Sequence, residues 1–424
     1  MRMTATAGNV PSMSPHHSPS VARAATAGRV ALACAAMLFA IQVPGRAQTL
    51  TRDSSVSIAL THGSRAAIAA ATSRSATARV REAGAFANPL LSATYSKAVP
   101  QYHAIIDLPL DFVTMRGPRL AAARSASEAA HIRLAYERAA IRLDVDTSYT
   151  IAAASRARAA LSLRNAVDAE SLLTIAGVRR NTGDASDLDV DVARINAGRA
   201  RNTALADSMT AVAALLQLQQ ALGLSAAEPS IALGDTLVVP GDDTLGGTGV
   251  PLPVAAAQRD LQSAEQTLAL ERRGIWSGLA LQAGIENHDP TGAESGILPT
   301  FGLSLPLPFF NQGQGAIGVA AADRDRAKVE LLAAQRESAA LSARARRDLT
   351  AARARVARDR ELVATADRVA RLSLRAYAEG AYPLTTVLEA QRNARDSLVE
   401  LIDDLVAANT AAAALRLYAG TTIP

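Results

Sequence analysis

Three aspartates at alternate positions, Asp187, Asp189 and Asp191, imitate the opening of a calcium-binding loop, where carboxylates would surround a hard cation. The spacing then fails. Val192 stands where such a loop needs glycine, and Gly198 where it needs a bidentate glutamate. Taken as a helix start, the run puts Asp187 and Asp191 on one face with Asp189 pointing elsewhere, as first-turn acids that complement the helix dipole. His16, His17, His62, His103, His131 and His288 are scattered without ligand spacing. No metal or cofactor is expected. The arginine-rich run from Arg344 to Arg360 contains Asp348 and Asp359, is followed by Glu361, and has no aromatic residues for stacking, so it reads as a solvated helix face and not a nucleic-acid site. No nucleophile elbow, phosphate loop, HExxH or catalytic carboxylate pair occurs, and no enzyme is expected.

The composition describes what must carry these residues. Apolar residues make up 49% of the 424, yet aromatics only 3%, with one Trp and six Phe. That is a poor recipe for a large globular core. Alanine-rich sequence studded with Arg, Glu and Asp favours long helices whose small side chains let backbones approach.

At the amino end, Arg23 and Arg29 flank or precede an apolar run from Val30 to Val43, followed by Gly45-Arg46-Ala47 as a small-x-Ala cleavage site. The run is shorter than the ~20 residues of a spanning helix, so it reads as a secretory signal. Its only cysteine, Cys34, would leave with it, and the rival lipid-anchor reading meets an imperfect lipobox in Ala31-Leu32-Ala33. The net charge of +5 comes largely from this segment and says little about nucleic acid.

The second half of the chain repeats the first at a shift of 197 residues. Leu108-Pro109-Leu110 and Phe112 return as Leu305-Pro306-Leu307 and Phe309. Gly183, Val190, Ala193, Asn196, Ala197, Asp207, Leu218 and Gly223 return as Gly380, Val387, Ala390, Asn393, Ala394, Asp404, Leu415 and Gly420. Such a period is too long for a solenoid module and marks a duplicated half.

Each half reads as a helical hairpin. No proline interrupts the chain between Pro118 and Pro229, or between Pro308 and Pro383. Leu134, Ile141, Val145, Tyr149, Ala152, Leu163 and Val167 keep helical spacing, as do Leu341, Ala345, Leu349, Ala352, Val356 and Val363, predicting one narrow stripe per helix. A helix from about Pro118 to Arg180 would be on the order of 90 Å long at 1.5 Å per residue. Gly183 and Gly380 interrupt the pattern as turn formers, and Gly223 and Gly420 end it as left-handed caps.

Upstream of each hairpin the period becomes two. Tyr102, Ala104, Ile106, Leu108, Leu110 and Phe112 alternate with more polar neighbours, as do Phe301, Leu303, Leu305, Leu307 and Phe309, and before them Leu279, Leu281, Ala283 and Ile285. A weaker strand covers Leu90 to Val99. Turns fit Val99 to Gln101 and Asn287 to Gly296. Strands of this length match the ~9–11 residues that cross a bilayer at a tilt, but a membrane barrel needs at least about eight strands. Four per chain must therefore be shared, with two chains supplying eight or three supplying twelve.

The order of signal, strand pair, long hairpin, linker, strand pair and long hairpin resembles the TolC family of outer-membrane efflux and secretion channels, over roughly Val56 to Gly420. The run Leu305-Pro306-Leu307-Pro308-Phe309-Phe310-Asn311-Gln312-Gly313-Gln314-Gly315 is similar to the strand-to-helix junction of its heavy-metal branch, the CzcC-like and CusC-like channels. The hairpin tips, Gly183-Asp184-Ala185-Ser186-Asp187-Leu188-Asp189-Val190 and Gly380-Ala381-Tyr382-Pro383-Leu384-Thr385-Thr386-Val387, are the second mark. The helix before Phe86 is short for the family, and Pro240 to Pro253 is a Gly- and Asp-rich departure.

The resemblance implies a fold that is mainly α with a small β part. Long antiparallel hairpins form a periplasmic tunnel, and four strands per chain close into a 12-stranded outer-membrane barrel only in a homotrimer. Residues 1–47 would be presequence and signal, 48–224 the first repeat (strands about 88–113, hairpin about 117–224), 225–253 an equatorial linker, and 254–424 the second repeat (helix about 254–274, strands about 277–310, hairpin about 314–420). Implied partners are outer-membrane lipid, a periplasmic adaptor and an inner-membrane transporter of the resistance-nodulation-division (RND) kind. In a trimer Asp184, Asp187, Asp191 and Glu379 become acidic rings at the tunnel entrance. Gly183 and Gly380 form the tip turns, and Arg179, Asn181, Tyr377 and Pro383 are the expected adaptor contacts.

The expected function is a passive exit duct of a tripartite efflux system, for metal cations, drugs or secreted polypeptide. Two other readings compete. A periplasmic adaptor should carry one hairpin between lipoyl-like halves, and a coiled-coil scaffold leaves the strands and signal without a purpose.

Overall fold

Alanine-rich runs free of proline form the longest elements of the protein. The structure is a computed structural model that describes residues 48–98, 100–225, 227–241, 249–274, 277–287, 296–418 and 420. It divides into units Met1–Gln48 and Thr49–Pro424. The expected signal, Cys34 and most of the Asn287 to Gly296 turn lie outside the described residues.

The elements follow in the order β1 (Gln48–Leu50), α1 (Arg52–His62), α2 (Ser64–Gly84), β2 (Leu90–Tyr95), β3 (Tyr102–Pro109), α3 (Asp111–Thr114), α4 (Arg116–Asn181), α5 (Asp187–Ala221), β4 (Ile231–Leu233), α6 (Leu252–Glu271), β5 (Ala280–Asn287), β6 (Ile297–Ser304), α7 (Gln314–Ala378) and α8 (Leu384–Tyr418). The 66-residue α4 is on the order of 100 Å long. It pairs with the 35-residue α5, as α7 pairs with α8, and the remaining length of each long helix packs on α2 or α6. The α5 and α8 boundaries are offset by the 197 residues of the repeat at both ends.

The seams are built from alanine. Ala166 and Ala169 meet Ala197, Ala200 and Ala204 between α4 and α5. Ala345, Leu349 and Ala352 meet Ala408, Ala411, Ala412 and Leu415 between α7 and α8. This corrects part of the predicted stripe. Ile141, Val145, Tyr149 and Ala152 are buried, but Leu163 and Val167 are 61% and 56% exposed, because close antiparallel contact selects the small residues of α4 and turns the large ones outward. The helix expected before Phe86 is two helices, broken at Gly63, whose N–H bonds Ala59 O at 3.0 Å.

At the waist the returning helix of each repeat meets the backbone in front of the short helix. A Cβ on Gly223 would stand 3.3 Å from His62 O, and one on Gly420 only 1.8 Å from Gly249 O. Both glycines have positive φ, 76° and 55°. Leu50, Val56, Tyr149, Leu218, Leu222, Ile231 and Leu233 form the core beneath, and β1 pairs with β4. Tyr149 Oη donates to Leu50 O (3.0 Å) and accepts from Asp235 N (3.1 Å), which fixes the linker to α4.

The second sheet has the antiparallel order β2-β3-β5-β6, and among the described residues neither outer strand pairs with a further one. Partnered residues share a face, so the register sorts the side chains. One face carries Leu91, Tyr95, Tyr102, Ile106, Leu108, Leu281, Ile285, Ile297, Phe301 and Leu303, all exposed. The other carries Ser92, Thr94, His103, Asp107, Gln282, Glu286 and Thr300. Gln282 Nε2 donates to Asp107 Oδ1 at 2.6 Å.

The strands are shorter than expected, six residues in β2 and eight in the others of this sheet. Leu110 N still bonds Leu279 O at 2.8 Å, but Asp111 is held by Arg119 of α4 at 3.0 Å and begins α3, so Phe112 is helical. Beyond Ser304 the alternation continues in sequence only. Pro306 and Pro308 have no N–H to give a ladder, and Phe309 falls outside the strand.

Candidate functional site at the hairpin tips and the linker belt

The same turn closes both hairpins. Gly183 and Gly380 adopt φ of 84° and 80°. Asp184 N bonds Arg179 O (2.8 Å) and Gly183 N bonds Arg180 O (3.1 Å), while Ala381 N bonds Ala376 O (2.7 Å) and Gly380 N bonds Tyr377 O (3.0 Å). These bonds satisfy the last carbonyls of α4 and α7, and a left-handed residue is needed to make them. The next helices start differently. Ser186 accepts from Asp189 N (3.1 Å) while Asp189 Oδ2 accepts from Ser186 N (3.1 Å), a reciprocal cap on α5. Its repeat counterpart, Pro383, precedes α8 and has neither group.

The tips are packed together. Leu172, Ala176 and Ala193 of the first hairpin enclose Tyr377, Leu384 and Val387 of the second. Arg179 lies over the Tyr377 ring, 4.6 Å from its centroid, and its two terminal nitrogens donate to Tyr377 O (2.9 Å) and Asp184 O (3.0 Å). Burial pushes the Tyr377 phenol above its usual value, against the pull of Arg179.

Tyr377 is therefore 2% exposed and joins the hairpins, so its side chain is not the exposed contact expected from sequence. Arg179 is half-buried beside it, while Asn181, Gly183, Gly380 and Pro383 are exposed. Asp184, Asp187, Asp191 and Glu379 are exposed as well. Asp187 pairs with Arg180 and Asp191 with Arg194, each at 2.7 Å, and Asp184 Oδ2 accepts from Thr182 Oγ1 at 2.8 Å. Among the described residues no group of three or more His, Cys, Asp or Glu is placed to hold a metal ion.

A second constellation was not read from the sequence. Arg156 of α4 donates to Leu233 O (2.6 Å) and Asp235 O (3.1 Å), and Arg353 of α7 donates to Pro240 O (2.7 Å) and Gly241 O (3.1 Å). Asn409 Nδ2 adds a bond to Val238 O at 2.9 Å. Residues 231–241 thus form a belt gripped by equivalent arginines of the two repeats. The run Arg344 to Arg360 is in this respect not a solvated face, since Arg353 holds the belt and Arg355 binds Asp404 at 2.8 Å. The signal was present as Arg156-Ala157-Arg158 returning as Arg353-Ala354-Arg355.

No protein-family model and no curated protein sequence matches the chain. Solved structures do match in fold. The outer membrane protein VceC from Vibrio cholerae superposes with a TM-score of 0.70 at 18% identity, over 87% of this chain and 96% of that one. CusC, described for its folding and transmembrane channel formation, gives 0.70 at 16% identity, over 91% and 96%. The Campylobacter jejuni CmeC outer membrane channel gives 0.71 at 12%, over 87% and 85%. The chain has the fold of these outer-membrane channels.

Proposed function

We propose that the protein is a passive outer-membrane exit duct of a tripartite efflux system, a member of the TolC family that works as a homotrimer. The observation that carries this reading is the sheet. Ten large apolar side chains stand exposed on one face, the other carries the sheet's polar side chains together with Leu90, Ile105 and Leu298, and among the described residues neither outer strand pairs with a further one. In water such a face and such edges invite aggregation. In lipid the apolar face is satisfied, provided that the edges pair with those of other chains. Eight residues at about 3.3 Å each extend about 26 Å, which at a tilt of about 35–45° covers about 19–22 Å of an apolar band about 25 Å tall, and three chains supply twelve strands.

No described helix is long and apolar enough to cross a membrane. The exposed apolar face is the reason for assigning the sheet to the bilayer. The hairpins continue the barrel as a periplasmic tunnel, and the tips form its gated entrance. Exposed Asn181 and Pro383, with Arg179 at the seam, are assigned to a periplasmic adaptor, which links the duct to an inner-membrane RND-type transporter. The chain supplies no catalysis in this scheme. Resemblance of the Leu305 to Gly315 run to the CusC-like junction favours heavy-metal cations as cargo over drugs or polypeptide.

Membrane fractionation followed by an unheated denaturing gel tests the reading. The expected result is a heat-modifiable trimer in the outer-membrane fraction, and a soluble monomeric mature protein would overturn it.

A further inference from the structure

The repeat places two carboxyl groups together where the first half of the chain has a hydroxyl and a carboxylate. In the first hairpin Ser162 Oγ of α4 donates to Asp207 Oδ2 of α5. A shift of 197 residues turns this pair into Asp359 of α7 and Asp404 of α8. A serine always has a proton to give, whereas an aspartate has one only when neutral.

The surroundings decide which acid is neutral. Arg355, one turn before Asp359, donates Nε to Asp404 Oδ1 at 2.8 Å, so the guanidinium bonded at this pair belongs to Asp404. Asp359 is 9% exposed, and its Oδ2 receives no hydrogen bond among the described residues. The groups facing it are Asp404 and Glu400 from α8 and Arg358 from its own helix. Arg158 of α4 is occupied by neighbouring Asp403 and adds no free cation.

We propose that Asp359 and Asp404 bind one proton between them, residing on Asp359, and that this proton ties the two helices of the second hairpin between the belt and the tip. With it, Asp359 donates to Asp404 as Ser162 does to Asp207, and the pair carries one negative charge. When the proton leaves to water, two carboxylates face each other beside Glu400 and the tie is lost. Burial, and then the hydrogen bond and charge of Asp404, push the Asp359 carboxyl above its ordinary value.

The sign follows from that direction. A carboxyl whose folded value lies above its unfolded one contributes stability that is present below the ordinary carboxylate range and lost as pH rises through the folded value, by up to about tenfold in the opening equilibrium per pH unit. The second hairpin is thus tighter in acid, and the first, with Ser162, lacks this dependence.

Hydrogen-exchange protection factors of 352–363 and 400–408, measured on the full-length protein in detergent from about pH 5 to 8, test the proposal. Protection should fall with rising pH in the wild type, and Asp359→Asn, whose amide donates without titrating, should hold it nearly constant. Asp359→Ser should do the same with the first repeat's own residue. Infrared difference spectra over a pH titration should show a carboxyl that keeps its proton above the ordinary carboxylate range and that Asp359→Asn removes. An unchanged pH profile in Asp359→Asn, absence of that carboxyl, or protection restored at pH 8 by millimolar calcium as a chelated cation would each overturn the shared proton.

Discussion

Arg179 of the first hairpin lies over the ring of Tyr377 of the second, 4.6 Å from its centroid, and donates to its carbonyl oxygen at 2.9 Å. One side chain therefore closes its own turn, through Asp184 O, and grips the neighbouring helix end. The ring matters more than its hydroxyl, because Tyr377 Oη is buried and has no hydrogen-bond partner among the described residues.

Tyr377→Phe is accordingly expected to be neutral or slightly stabilising, since it removes a buried unsatisfied group while keeping ring and packing. Tyr377→Ala should cost about 3–5 kcal/mol locally by opening a cavity among Leu172, Ala176 and Val387. Arg179→Ala should free the tips while leaving each hairpin folded. Hydrogen exchange at 374–388 reads all three, and planar-bilayer conductance should rise for Tyr377→Ala and Arg179→Ala alone.

The waist makes a contrasting prediction from glycines that look alike in sequence. Gly183→Ala meets no atom within 4 Å, so it should cost only the left-handed backbone strain, about 1–2 kcal/mol. Gly420→Ala would place its Cβ 1.8 Å from Gly249 O and must move the backbone, for about 3 kcal/mol or more. Thermal unfolding of the two variants should rank them in that order, and equal shifts would refute the close approach at the waist.

Hairpins, tip turns and the apolar sheet face were legible because periodicity and punctuation are local. The lengths of the strands were not. Asp111 leaves the alternating pattern for a partner, Arg119, eight positions away, and prolines 306 and 308 keep the alternation while removing the ladder. The two-residue stripe error at Leu163 and Val167 has a similar origin, since spacing alone does not say whether alanine or leucine faces the seam. The resemblance makes Tyr377 an expected adaptor contact, but its burial depends on Leu172, Ala176, Ala193 and Arg179 of the other hairpin, which are distant in sequence. Arg156 and Arg353 were readable from the 197-residue shift, but what they grip is backbone carbonyl, which carries no sequence signature.

Arg416 of α8 meets Asp146 of α4 at 3.1 Å, joining the repeats within one chain. Asp146 is 2% exposed and its Oδ1 has no hydrogen-bond partner among the described residues. Burial holds its carboxyl above the ordinary range despite the attraction of Arg52, Arg416 and Arg142. Stability from a group raised in this way is present in acid and lost as pH rises through its folded value. Arg416→Ala removes one hydrogen-bonded partner of the buried carboxylate and should cost about 1.5–3 kcal/mol at neutral pH, the worth of a hydrogen bond to a charged group, because Arg52 and Arg142 still attract it. At about pH 4 protonation of Asp146 relieves that charge, so the deficit should shrink. Denaturant unfolding at both pH values measures the difference, and Arg416→Ala combined with Asp146→Asn should recover much of the neutral-pH loss.

The acids of the tips should act unequally on ions. Asp187 and Asp191 stand within 2.7 Å of Arg180 and Arg194, so much of their field is cancelled at short range. Asp184 is bonded to the neutral hydroxyl of Thr182 and keeps its charge uncompensated by that contact. Replacing Asp184, Asp187 and Asp191 together by Asn removes three charges per chain and leaves Arg180 and Arg194 without those partners. The reversal potential of the reconstituted channel in a salt gradient should then move from cation preference toward anions. Asp184→Asn alone should produce more of that shift than Asp187→Asn alone, and the difference should fade near 1 M salt, where the screening length is about 3 Å. Selectivity that stays constant in the triple variant would remove the tips from ion discrimination and leave them with gating and docking.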